Sequence, residues 1–125
     1  EKLSIFGNDF NTADGTGIRD YIHVHDLSNA HLRALDCLDL VNEHLALNIG
    51  TGSGYSVLEL LNAFKTSTLQ DIPFTYADRR DGDVAISYAN PNKAVDFLGW
   101  NASKSLEDMC LDSWNWQQNN PEGYN

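Results

Sequence analysis

The stretch that most narrows what this chain can become runs from Leu45 to Phe64. An apolar run, Leu45 to Ile49, leads into Gly50-Thr51-Gly52-Ser53-Gly54, and Ser56 with Glu59 then stands in front of the helically spaced Val57, Leu58, Leu61 and Phe64. The apolar run reads as a short buried strand, and the glycines permit a tight turn. Ser56 and Glu59 have the spacing of a capping box, in which the hydroxyl accepts from the backbone three residues on and the carboxylate reaches back to the cap's own N–H. Strand, turn and helix therefore follow one another, and the chain reads as mixed α/β.

The remaining elements are punctuated in the same way. Lys2 to Phe6 alternates as a strand and Gly7-Asn8-Asp9 ends it. Tyr21 to Val24 reads as a second strand, with Asp26 as the N-cap of a helix that carries Leu27, Ala30, Ala34, Leu35 and Leu38 and ends near Val41 or Asn42. Pro73 to Tyr76 is a further strand, and Lys93 to Leu98 a short helix closed by Gly99-Trp100. Ser105 with Asp108 caps a last helix bearing Leu106, Met109, Cys110, Trp114 and Trp116, which Pro121 and Gly123 stop. The sequence shows no internal repeat, linker or low-complexity segment.

A length of 125 residues fits one compact domain, which buries roughly two thirds of its unfolded surface. The balance of 8 basic against 18 acidic residues argues against nucleic acid and against an anionic membrane as partners, since both require a basic face. Cys37 and Cys110 sit in helix-like stretches without ligand spacing, so neither a disulfide framework nor a zinc site is indicated and a reducing cytoplasm is expected. No apolar run approaches the roughly 18 residues of a membrane span, and no signal sequence is visible. Asn101-Ala102-Ser103 is read as a chance match to a glycosylation sequon. The sequence starts at Glu1 without a methionine and goes straight into Lys-Leu-Ser-Ile-Phe-Gly, so it is expected to be a piece of a larger protein.

Several constellations invite chemistry. The turn at Gly50–Gly54 follows a strand and opens a helix, as a dinucleotide fingerprint does. Its spacing is G-x-G-x-G, Tyr55 stands in the place of the third glycine, and no acidic residue ends a second strand about 20 residues on. It is read as a tight turn. His23 and His25, two apart on the expected strand and beside Asp26, would face one side. A metal needs a further convergent ligand that His31 and His44 are not placed to give, so the histidines are read as ordinary hydrogen-bonding groups. No nucleophile elbow is present for a Ser-His-Asp arrangement. Neither a catalytic residue nor a metal ligand is assigned.

Arg19 and Arg80 differ from these. Each sits in a turn rich in glycine and acid, Gly15 to Val24 and Arg79 to Asp83, in a chain of net charge -10. A planar guanidinium matches phosphate oxygens in a way an ammonium cannot, and the anion that best fits a pair of them is a diphosphate. Asp20, Asp81 and Asp83 could either orient those arginines or accept sugar hydroxyls.

At these residues the chain resembles the C-terminal part of the UDP-glucose 4-epimerase family, also called UDP-galactose 4-epimerases, of the extended short-chain dehydrogenase/reductase superfamily. The resemblance covers nearly the whole chain. It rests on I-F-G-N-D-F at 5–10, D-G-T-G-I-R-D-Y-I-H-V-H-D-L at 14–27, N-I-G-T-G-S-G-Y-S-V-L-E-L at 48–60, R-R-D-G-D at 79–83, F-L-G-W at 97–100, and L-E-D-M-C-L-D-S-W-N-W-Q-Q-N-N-P-E-G-Y at 106–124. It implies that residues 1–125 are the UDP-sugar-binding portion of such an enzyme, an α/β piece with small β elements and several helices. The NAD-binding Rossmann domain would lie outside the sequence, with a cytoplasmic homodimer as the full-length state. It implies an isomerase of galactose metabolism that interconverts UDP-glucose and UDP-galactose at C4 through a 4-keto sugar, with NAD as cofactor, and the chain alone is expected to be inactive. The proton-handling Tyr-x-x-x-Lys pair of such enzymes is missing. Counting back four residues from Lys65, Lys93 and Lys104 gives Leu61, Ala89 and Trp100, and Lys2 has no such predecessor.

Carried over position by position, the resemblance gives Ser4, Ile5 and Phe6 the uracil through their backbone groups. It gives Arg19 and Arg80 the diphosphate and Asp83 a ribose hydroxyl, with Asp81 and Gly82 completing that turn. Tyr21 borders the site, and Ser87 walls the hexose pocket at a place where members carry a bulky or a small residue, so the N-acetylhexosamine pair is a further expected substrate. Two rival readings stand beside this one: another nucleotide-sugar epimerase or dehydratase of the superfamily, and a free-standing UDP-sugar binding module.

Overall fold

The chain's structure is a computed structural model that describes residues 2–124. Its elements in order are β1 (Leu3–Phe6), β2 (Ile18–Arg19), α1 (Val24–Asp36), a 3-10 turn at Leu38–Leu40, β3 (Tyr55–Ser56), α2 (Val57–Thr68), β4 (Phe74–Ala77), β5 (Ile86–Ser87), α3 (Asn92–Leu98) and α4 (Leu106–Asn119). The architecture is α/β, with small sheets among packed helices, as the sequence predicts. β1 pairs in parallel with β4, Leu3 opposite Phe74 and Ile5 opposite Tyr76. β2 is the middle of a second sheet, antiparallel to β3 and parallel to β5, so that Arg19 lies between Tyr55 and Ser87.

Both capping boxes form. Ser56 Oγ accepts from Glu59 N at 3.0 Å while Glu59 Oε2 accepts from Ser56 N at 2.6 Å. Ser105 and Asp108 exchange the equivalent pair at 3.1 and 2.9 Å. The helices they start, α2 and α4, pack against each other through Ala63, Leu106 and Cys110 with Leu60, Phe64 and Met109 around them. Trp114 meets Phe64 edge-on at 6.0 Å. A second cluster, Ala30, Ala94, Leu98 and Trp100, joins α1 to α3. Burial of such side chains, at about 25 cal/mol per Å2 of apolar surface, is the main force that holds the helices together.

Four expectations need correction. Tyr21 to Val24 is not a strand: the pairing falls earlier, at Ile18–Arg19, and α1 already begins at Val24. Its N-cap is His23 rather than Asp26, because the imidazole Nδ1 accepts from His25 N at 3.0 Å. Asp26 lies inside the helix, 3% exposed, and gains more donors by turning toward the approach to α4, where Ser103 N, Ser103 Oγ and Lys104 N donate to it at 3.0, 3.0 and 2.9 Å. The helix stops at Asp36 and tightens into the 3-10 turn instead of running to Val41. Leu45 to Ile49 forms no strand and pairs with none among the described residues; Leu47 and Ile49 pack against the Ala30–Trp100 cluster instead.

His23 and His25 consequently flank a helix start. The buried His23 meets Asp112 of α4, Nε2 to Oδ2 at 3.1 Å, which is the ordinary hydrogen-bonding role read from the sequence. Both cysteines are free thiols, and burial, reinforced by Glu107, pushes the Cys110 thiol up. Among the described residues no group of His, Cys, Asp or Glu is arranged to hold a metal ion, and no helix is long and apolar enough to cross a membrane.

Candidate functional site

The loops around β2 are tied down by carboxylates. Asp14 accepts from Thr16 N at 2.8 Å and Thr16 Oγ1 at 2.7 Å, and Ser56 Oγ donates to its other oxygen, which fastens the loop before β2 to the start of α2. Asp20 accepts from Thr51 N at 3.0 Å, Thr51 Oγ1 at 2.6 Å, Gly52 N at 3.1 Å and Ala89 N at 3.1 Å. Desolvation pushes both carboxyls up, but the hydrogen bonds they accept outweigh it and hold each below the usual carboxylate value. Gly50 makes the Asp20 contact possible: a Cβ there would lie 2.6 Å from Asp20 Oδ2 and 2.7 Å from Ala89 Cβ.

This arrangement decides the Gly50–Gly54 turn. Its Thr51 and Gly52 N–H groups point at Asp20, and the start of α2 is closed by its own capping box. A dinucleotide diphosphate needs such N–H groups free. The turn therefore does not fit NAD, and it has the structural part read from its spacing.

Between β1, β2 and the arginine turn lies a cleft of about 270 Å3. Ser4, Ile5, Phe6, Arg19, Tyr21, Arg80 and Asp83 line it, so seven of the positions singled out from the sequence come together. Leu3 N donates to Pro73 O at 2.9 Å and Gly7 N to Ala77 O at 2.8 Å. By the alternation of a strand the Ser4 and Phe6 peptide groups then face away from β4, along an edge that pairs with no strand among the described residues. Ile5 points its side chain into the interior, 1% exposed.

Asp83 links the two arginines. Arg80 Nε donates to its Oδ2 at 3.0 Å and Arg80 Nη2 to its Oδ1 at 3.3 Å, and Arg19 Nη2 lies 3.6 Å from the same Oδ1. Arg19 is further held by a hydrogen bond from Nη1 to Ile18 O at 2.8 Å. Arg80 lies over the Phe6 ring with its guanidinium carbon 4.9 Å from the centroid. The Arg19–Asp83 contact is longer than a hydrogen bond and Arg80 is exposed, so both guanidinium groups can turn to an anion that offers better geometry. Burial pushes the Tyr21 phenol up against the opposing pull of Arg19.

Asp81 and Gly82 do not line the cleft; they form the exposed turn that brings Asp83 back beneath Arg80, with Asp83 N donating to Arg80 O at 3.2 Å. Ser87 is also outside it. It lies in an adjoining hollow of about 410 Å3 with Asp20, Asn48, Tyr88, Ala89 and Asn90, and Arg19 lines both spaces. Phe10, Gly17 and Val57 complete the cleft and were not singled out. Phe10 could have been noticed as the one aromatic in an otherwise polar, glycine-bearing loop; Val57 gives no local signal, being an ordinary first residue of a helix. A larger apolar hollow of about 710 Å3 between the start of α1 and α4 holds only His23 and Asp112 as ionisable groups, and these are bonded to each other.

Comparison with known proteins bears on the whole of this arrangement. The UDP-glucose 4-epimerase of Bacillus subtilis (strain 168) is 52% identical over 124 residues, which is 99% of this chain and 37% of the relative. The crystal structure of the Bifidobacterium longum UDP-glucose 4-epimerase in complex with NAD+ and UDP superposes with a TM-score of 0.94 at 43% identity, over 99% of this chain and 37% of that one. The chain belongs to the UDP-glucose 4-epimerase family. It matches the C-terminal portion of these epimerases and spans just over a third of their length. A third epimerase, from Stenotrophomonas maltophila and crystallised with bound NAD and formylated UDP-arabinopyranose, matches 97% of this chain and 36% of its own at 47% identity and a TM-score of 0.91. No family model matches the chain. The α/β architecture is thus that of the C-terminal part of NAD-binding epimerases of the extended short-chain dehydrogenase/reductase type.

Proposed function

We propose that this chain is the UDP-sugar-binding portion of an isomerase that interconverts UDP-glucose and UDP-galactose at C4. The observation that carries the reading is the arrangement of Arg19 and Arg80 around Asp83, set between the edge of β1 that faces away from β4 on one side and the Ser87 hollow on the other. A nucleoside diphosphate sugar has the same order: a flat base with donors and acceptors, a ribose, two phosphates and a hexose. The Ser4 and Phe6 peptide groups read uracil, Asp83 accepts a ribose hydroxyl, and Arg19 and Arg80 clamp the diphosphate with Asp81 and Gly82 shaping the turn. Tyr21 borders the site, and Ser87 walls the hexose. Because Arg19 lines both spaces, it is the residue that fixes how far the sugar reaches from the nucleotide.

NAD, when bound by an N-terminal Rossmann domain, supplies the reversible oxidation at C4; the residues of this chain bind and orient the sugar for it. The whole enzyme is read as a cytoplasmic homodimer of galactose metabolism, consistent with an acidic surface and free thiols. A wider substrate range is favoured by Ser87 itself, which is small and exposed in a hollow of about 410 Å3 and leaves space for an N-acetyl group. A coupled assay of UDP-galactose conversion by the polypeptide that carries this chain tests the reading. Turnover that depends on NAD is expected, and a polypeptide that binds UDP without turnover would reduce the chain to a binding module.

A further inference from the structure

Arg79 and Arg80 are neighbours in sequence with parallel surroundings and opposite availability. Each lies over a phenylalanine and beside an aspartate: Arg80 over Phe6 and against Asp83, Arg79 over Phe10 and against Asp9. The Arg79 contacts are closer. Its guanidinium carbon is 4.0 Å from the Phe10 centroid, Nε donates to Asp9 Oδ1 at 2.6 Å, and Nη2 donates to the Asp9 carbonyl. That carbonyl bond fixes the backbone next to Phe10, a residue 6% exposed that lines the cleft, whereas Arg79 does not line it. The packing beneath is tight: a Cβ on Gly7, whose φ is +83°, would fall 2.5 Å from Phe10 Cε2 and 2.9 Å from Arg79 Cγ. β1, the loop after it and the arginine turn therefore meet in a stack of Gly7, Phe10 and Arg79.

We propose that Arg79 is a positioning residue for the nucleotide, acting through the Asp9–Phe10 segment to hold the Phe10 wall of the cleft and leaving anion recognition to Arg80. The proposal rests on the reading of the cleft as a nucleotide site. A guanidinium is required because the contact uses a planar face and a fork together: the face covers the Phe10 ring while Nε and Nη2 reach the side chain and the carbonyl of Asp9. A lysine at the same place offers a point charge and cannot do both. Since Arg79 acts on the wall and not on phosphate, its loss should be felt by ligands that carry no phosphate.

Uridine and UDP titrated separately into the epimerase that carries this chain, with melting temperatures measured alongside, test this. Arg79→Ala and Arg79→Lys are expected to weaken uridine and UDP alike by about three- to tenfold, the worth of one hydrogen bond. Arg80→Ala should weaken UDP and spare uridine. Asp9 is exposed, so variants there keep the fold: Asp9→Ala should reproduce the uridine loss in part, and Asp9→Asn, which retains the acceptor oxygen, should restore it. Arg79→Ala that weakens UDP alone would make Arg79 an anion ligand and overturn the proposal, as would a lowered melting temperature with both affinities unchanged. If Arg80→Ala also left UDP unchanged, the nucleotide reading of the cleft would fail, separately from the part assigned to Arg79.

Discussion

Asp83 stands 3.6 Å from Arg19, Oδ1 to Nη2, where the turn between β4 and β5 comes back against β2. It also accepts from both ends of the Arg80 fork, so a single carboxylate keeps two guanidinium groups facing one space. Arg19→Ala and Arg80→Ala are each expected to weaken UDP binding by about 1.5–3 kcal/mol, the scale for hydrogen bonds to a charged group. Lysine at either place should rescue poorly, since it lacks the fork. Calorimetry of UDP binding to the intact enzyme checks this, and unchanged affinity in both alanine variants would remove the diphosphate assignment.

The chain on its own is expected neither to epimerise UDP-galactose nor to bind NAD. The Thr51 and Gly52 N–H groups that a dinucleotide would need are engaged by Asp20, and no Tyr-x-x-x-Lys pair is present in the sequence. A coupled assay and an NAD titration on the purified 125-residue chain are the measurements; turnover above buffer would contradict the expectation.

Acid should loosen the fold from the carboxylates outward. Asp14, Asp20 and Asp26 all lie below the ordinary value of 3.8, because hydrogen bonds from Ser56 and Thr16, from Thr51, Ala89 and Gly52, and from Lys104 and Ser103 outweigh desolvation. A depressed folded value means the unfolded chain binds more protons in this range, so the stability these groups contribute is complete above the ordinary carboxylate range. It is lost as pH falls through that range and the lowered folded values. Urea midpoints measured downward from neutral pH should hold steady and then fall, and Asp20→Asn should flatten part of that fall. A midpoint independent of pH through the carboxylate range would contradict it.

Ser87→Tyr should act on substrate choice. A tyrosine ring placed in the Ser87 hollow would overlap an N-acetyl group at C2, and steric overlap rejects the larger sugar without help from the smaller one. The wild-type enzyme is expected to use both UDP-hexoses and UDP-N-acetylhexosamines, with the variant losing the acetylated pair selectively. Comparison of kcat/KM on both substrates decides it, an equal loss on both being the adverse result.

What could be read from the sequence was what is local. Ser56 with Glu59 and Ser105 with Asp108 were legible because a capping box is complete within four residues. The start of α1 was misplaced because Asp26 is the better cap by residue type, and only the tertiary partners Ser103 and Lys104 explain why its carboxylate is used elsewhere. β2, β3 and β5 are two residues each and exist through their neighbours, too short for any periodicity. Leu45 to Ile49 has the composition of a strand but packs by its side chains against α1 and α3. In the site, Ser4, Phe6, Arg19, Tyr21, Arg80 and Asp83 were found on motifs and do converge, whereas Phe10 and Val57 join them only because the fold brings a loop and a helix start to the same place.

The Asp20 carboxylate ties together residues 31 and 69 positions downstream of it, at Thr51 and Ala89. No helix or hairpin can form that knot early, since three remote stretches of backbone must arrive together and each loop closed adds entropy to overcome. The cleft beside it is therefore expected to be among the last parts of the chain to take shape during folding. Shape at the cleft then becomes a stricter gauge of a finished native state than helix content: a refolding sample is expected to regain its circular dichroism before the loops around Asp20 are in place.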